Sequence, residues 1–128
     1  MYTVLLVAIP ILFPISCAAP GDIVSLEKRV KDNPESSQAH HELALAYLKR
    51  GIDWEGPRDV GVPTIVNKRW AKKAQKELQE AVELDPNFPE PHYWLKIIYN
   101  SQGRYKEADK ESQAYIESMA QGKRRPKR

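Results

Sequence analysis

The chain has almost no sulfur chemistry to offer. Its 128 residues include one cysteine, Cys17, so no internal disulfide can form. Neither a cysteine-based zinc site nor a paired-thiol redox site can be built. Catalytic signatures are missing too. There is no glycine-rich phosphate loop, no zinc-protease helix motif and no serine in a nucleophile elbow. Acids and bases are plentiful, but they fall on helix faces expected to meet solvent. These absences point away from an enzyme, and neither a cofactor nor a metal is expected. A basic body is also lacking. Five of the twenty basic residues, Lys123, Arg124, Arg125, Lys127 and Arg128, lie in the last six positions, and the formal charge of +3 less these five is −2. The high pI therefore belongs to the end of the chain. Residues 121–128 read as a basic, disordered, solubilising tail, and no nucleic-acid partner is expected.

Charge is absent from residues 1–20, where residues 4–13 form an almost unbroken apolar run. Three readings of this segment stand side by side. As a lipoprotein-type signal it would end in the box Pro14-Ile15-Ser16-Cys17, and a lipidated Cys17 would tether the rest of the chain to a membrane. As an ordinary secretory signal it offers the small-x-small sequence Ser16-Cys17-Ala18, with cleavage before Ala19. As an uncleaved anchor, residues 2–19 approach the minimum length of a membrane span, and Pro10 and Pro14 are tolerable within it. The nearest positive charges, Lys28, Arg29 and Lys31, would then hold the body on the cytoplasmic side.

Beyond Gly21 the chain turns polar and repeats itself. His40, Leu43, Tyr47 and Gly51 are spaced by three, four and four residues, and so are His92, Leu95, Tyr99 and Gly103. The two sets lie 52 residues apart, whereas Ala74 and Ala108 lie 34 apart. The difference of 18 marks an insertion between Gly51 and Ala74. Apolar residues recur at helical spacing around each motif: Ala39, Leu43, Ala44, Tyr47 and Leu48, then Trp70, Ala74, Leu78, Ala81 and Val82. Asn67 is placed to cap the helix that runs to Leu84, and Asp85-Pro86 ends it. Pro89 and Pro91 open the next helix, and Gly51 and Gly103 suit helix ends. An earlier helix carries Ile23, Leu26 and Val30 and ends near Asn33-Pro34.

The set Leu43, Ala44, Tyr47, Ala74, Leu78, Ala81 and Pro86, with its period of 34, resembles the tetratricopeptide repeat family. The second set departs at Lys96, Ser112 and Tyr115, as a terminal repeat does. The resemblance covers residues 22–119. It implies an all-α fold, a short right-handed solenoid of helical hairpins with about two and a half repeats. The insertion, residues 52–69, falls between the two helices of the first full repeat. The repeat domain as a whole spans residues 21–120.

In that family the first helices of the repeats line a concave groove that holds a peptide. By this resemblance the groove would carry Gln38, His41, Leu45 and Leu48, then Glu90, Tyr93, Ile97 and Asn100. Leu45 and Trp94 stand where a carboxylate clamp would need polar residues, so an apolar ligand is expected. Trp54 in the insertion, or Trp70 just after it, is a candidate aromatic anchor, and the insertion itself reads as a flap or a binding loop. His40 and His92 read as packed core residues. The resemblance implies a non-enzymatic adaptor of the cell envelope that binds a protein or peptide. Because the repeats are few, self-association is a further expectation. Alternatives are a binder of a small apolar ligand with the insertion as lid, a cytoplasm-facing anchored scaffold, and a soluble exported protein.

Overall fold

A computed structural model of the protein describes residues 22–53 and 63–124, with side chains as far as residue 122. These residues form α1 (Ile23–Asp32), α2 (Ser37–Gly51), β1 (Ile52–Asp53), β2 (Thr64–Ile65), α3 (Lys68–Leu84), α4 (Pro89–Ser101) and α5 (Tyr105–Arg124). The fold is all-α apart from the single strand pair.

Local chemistry sets the helix bounds. The Ser36 hydroxyl accepts the Ala39 N–H at 3.2 Å and opens α2. The Asn67 carbonyl oxygen accepts the N–H groups of Arg69 and Trp70 and opens α3. Pro89 starts α4, where a missing N–H leaves nothing unpaired. Gly103 closes α4 with φ +72°, and the Arg104 N–H returns to the Tyr99 carbonyl at 2.9 Å. Gly51 is the last residue of α2, as its position in the sequence implies, but without a left-handed backbone: Gly103 is the one positive-φ glycine among the described residues. Gly51 is needed for close approach instead. A Cβ there would lie 3.1 Å from the Trp70 Cβ and 3.3 Å from the Ala71 nitrogen.

Successive helices pack side by side in alternating directions. Tyr47 reaches Glu27 while Arg29 reaches Glu42, so α1 and α2 run antiparallel. His40 faces Glu77 while Tyr47 faces Trp70, which orients α3 against α2. Gln79 meets Tyr99 and Gln102 meets Gln75, which orients α4 against α3. One core runs through the array: Leu26, Leu43, Tyr47, Leu48, Leu78, Leu95, Ile98 and Tyr99 belong to a single buried cluster. Leu78, Leu95 and Ile98 are sealed from water, and burial of each contributes about 1.5–3 kcal/mol. Alanines at Ala44, Ala74 and Ala81 have no exposed surface and let the helix backbones come close.

The insertion is anchored at its base. Ile52 pairs with Ile65 and Asp53 with Thr64 in antiparallel register. Ile52 is buried in the common core and Ile65 packs against it. Sequence reading does not foresee these strands, although Thr64, Ile65 and Val66 are rich in β-branching. The expected tail also needs correction. Residues 121–124 belong to α5 rather than to a disordered end. Only Gly122 weakens the helix there, by about 1 kcal/mol, and cations at a helix C-terminus are favoured. Residues 1–20, Cys17 and Trp54 lie outside the described residues.

Candidate functional site

Helices α2 and α4 carry the candidate groove residues, and the structure divides them into two groups. Gln38, Glu90 and Asn100 are exposed, and Leu45 and Tyr93 are half-buried. These five are available to a partner. Leu48 is not: it has no exposed surface. The strand pair comes directly after it in the chain, and Leu48 joins the core cluster that receives Ile52 and Ile65. Ile97 is 7% exposed, and it too serves as packing rather than as a contact surface. The resemblance assigns both residues to the groove face, but it does not register how far the neighbouring elements enclose α2 and α4.

His41 is the unusual member of the set. It is 7% exposed, and among the described residues neither ring nitrogen has a hydrogen-bond partner. Its ring meets the edge of Phe88 at 4.9 Å between centroids. Burial lowers its pKa below the usual imidazole value, opposed by the nearby carboxylates of Glu90 and Glu42. Glu42 is itself organised. The Gln38 amide and the Arg29 guanidinium both donate to its carboxylate and hold its pKa below the ordinary value. Leu45 lies one turn beyond His41 on the same face of α2. This stretch of α2 thus sets the half-buried Leu45 beside a buried imidazole and the carboxylate of Glu42. In α4, an aromatic group is added. Tyr93 lies 5.3 Å from Trp94 and 5.8 Å from Tyr115, with the Lys96 ammonium 5.1 Å from its ring centre.

The other two histidines are built in, and in matching ways. His40 has Nδ1 at 2.7 Å from a Glu77 carboxylate oxygen and Nε2 at 2.9 Å from the Pro34 carbonyl. His92 has Nδ1 at 2.6 Å from Glu111 and Nε2 at 2.9 Å from the Pro86 carbonyl. Both partners of each ring are acceptors. The bond to Glu111 raises the His92 pKa, with help from the Pro86 carbonyl and against the cost of burial. A signal for these partners is present in the sequence, since Glu77 and Glu111 lie 34 residues apart, the spacing of Ala74 and Ala108. The tyrosines match as well. Tyr47 donates to Glu27 at 2.6 Å, and Tyr99 accepts from Gln79 at 2.9 Å. Glu27 and Gln79 are 52 residues apart, as are Tyr47 and Tyr99. The α1–α2 contact is therefore repeated by the α3–α4 contact.

Among the described residues, no group of three or more His, Cys, Asp or Glu side chains is placed to hold a metal ion. Nor does any helix there reach the length and apolarity needed to cross a membrane. No family model matches the chain, and no curated protein matches it either.

Proposed function

We propose that this protein is a non-enzymatic adaptor of the tetratricopeptide repeat type, held in the cell envelope by its N-terminal apolar segment. It would bind a largely apolar stretch of a protein or peptide along the inner face of α2 and α4. The recurrence of the His-Glu-Pro and tyrosine contacts at the sequence offsets supports the repeat reading. The observation that carries the binding reading is the solvent access of the α2 and α4 residues: Gln38, Glu90 and Asn100 are exposed and the apolar Leu45 and Tyr93 are half-buried. His41 lies beneath them, and a buried polar ring with no partner costs about 1–3 kcal/mol.

The experiment is affinity capture from native membranes with the wild-type chain and with a Leu45→Asp, Asn100→Arg double variant. Both sites have side chains in reach of solvent, so the helical circular dichroism should persist. The partner recovered with the wild type should be lost with the variant. Undiminished recovery with an intact fold would place binding elsewhere. Ile97 is unsuited to such a test, because a charge at a buried position destabilises the fold itself. For the tether, the mass of the mature N-terminal peptide is diagnostic. A chain beginning at an acylated Cys17 would establish a lipoprotein. Cleavage before Ala19 would establish an exported soluble chain, and an intact residue 1 an anchor.

A further inference from the structure

One end of the helical array has a character that the groove does not explain. Because the helices alternate in direction, this end gathers the starts of α1, α3 and α5 and the ends of α2 and α4. The Gly51 carbonyl accepts from the N–H groups of Val66 and Asn67 here, and Gln102 donates to Gln75 at 2.8 Å.

The charge at this end is lopsided. Residues 68–76 include the five cations Lys68, Arg69, Lys72, Lys73 and Lys76 and no carboxylate. All five are exposed, and among the described residues none forms an ion pair. Lys68 and Arg69 lie in the first turn of α3, at the positive end of its dipole, where cations are disfavoured, so their placement weakens α3 while concentrating positive potential. An open cleft of about 620 Å³ runs alongside, with Lys68, Lys72, Ser101, Gln102 and Arg104 in its walls. Among the described residues, the carboxylates within the same depth of this end as Lys72 are Asp22, Glu27, Asp53, Glu107 and Asp109; Glu27 accepts from Tyr47 at 2.6 Å, and Glu107 is engaged by Arg104 at 3.0 Å.

Apolar side chains project from the same end. Val24 in the first turn of α1, Val66 just before α3 and Tyr105 at the start of α5 are 70%, 62% and 67% exposed. Cations interleaved with exposed apolar and aromatic groups are the pattern of a surface that sits in a lipid headgroup region. The same end also holds Asp22, which is separated from the uncharged segment 1–20 by Gly21 alone. A membrane-held segment would deliver the domain to the bilayer with this end leading.

We propose that this end docks on an anionic lipid leaflet, with Lys68, Arg69 and Lys72 at the lipid phosphates and Val24, Val66 and Tyr105 in the headgroup boundary. The proposal rests on the tethered reading for the direction of approach. Docked this way, the inner face of α2 and α4 stands across the membrane normal and stays open to a partner.

The test is flotation of the full chain with phosphatidylcholine vesicles and with vesicles that also contain phosphatidylglycerol. Binding to the neutral vesicles reads the apolar segment, and the excess affinity for the anionic ones reads the docking end. Each cation near such a surface contributes about fivefold. A Lys68→Gln, Arg69→Gln, Lys72→Gln variant should therefore lose roughly 100-fold of that excess. Replacing Lys127 and Arg128 with Gln should leave the loss caused by the triple change intact. A triple variant with the wild-type excess would overturn the proposal, even if binding to neutral vesicles persists. Loss of the excess in a chain that ignores neutral vesicles would support docking and remove the tether. If the triple change abolished binding to a single-stranded oligonucleotide and left vesicle binding untouched, the lipid assignment would be wrong.

Discussion

Deprotonating His92 should cost the fold a bond it cannot replace. The ring lies between the Glu111 carboxylate at 2.6 Å and the Pro86 carbonyl at 2.9 Å, both of them acceptors. A protonated ring donates to both. A neutral ring has one N–H, so one lone pair must face an oxygen in a site where the residue is 4% exposed. A hydrogen bond to a charged group is worth about 1.5–3 kcal/mol. The folded chain holds the proton more tightly than the unfolded chain does, since the pKa of His92 is raised, first by Glu111. The contribution is therefore complete below the ordinary imidazole value of about 6.5 and is lost as pH rises through the raised value. Urea unfolding of the wild type at steps from about pH 6 to about pH 9 should show a decline over that window. The decline should be of the size given for the bond, and in a domain of this size each kcal/mol moves Tm by about 4–8 °C. His92→Gln should be less stable below the window, and its pH dependence should be flatter. A wild type whose stability is level across the window, or a variant with an undiminished slope, would refute the bonding scheme.

His41 has the opposite sign. Its pKa is lowered by burial, so it opposes folding as pH falls below about 6.5. His41→Leu should raise stability by about 1 kcal/mol through removal of an unsatisfied buried ring, most clearly near pH 5.5. An unfolding curve shifted to lower urea would contradict this. Gly51→Ala should destabilise by about 1–3 kcal/mol, because the neighbours of the new Cβ are the Trp70 Cβ and the backbone of α3. A gain in Tm would show that this crossing can relax. Leu78→Ala, at a position with no exposed surface, should cost about 2–5 kcal/mol in urea unfolding. Asn67→Ala should cost about 1 kcal/mol, with the loss appearing as faster amide exchange in the first turn of α3.

The helices are legible in the sequence because their ends carry local chemistry. Asn67, Pro86, Pro89 and Gly103 each act within a turn of their own position, so the sequence around them is sufficient. The offsets of 52 and 34 residues are equally legible, and they locate the insertion. What escapes sequence reading depends on what lies across from a residue. The family resemblance puts Leu48 and Ile97 on a groove face, yet both are buried. Gly51 has the position of a helix cap, yet its constraint comes from Trp70. The cations of α3 are hidden by averaging: a body with a net charge of −2 still gathers five positive side chains on half of one helix. Lys96 and Tyr115 depart from the repeat pattern, and both lie beside Tyr93.

Site-directed photo-crosslinking in intact cells tests the binding face most directly. A benzophenone side chain placed at Gln38 or Asn100, both exposed on the inner helices, should capture one and the same protein. The same probe at Glu80 or Glu83, exposed on α3, should not capture it. Equal capture from α3, or no capture from either inner helix in a folded and correctly localised chain, would contradict the assignment of the inner face as the binding surface.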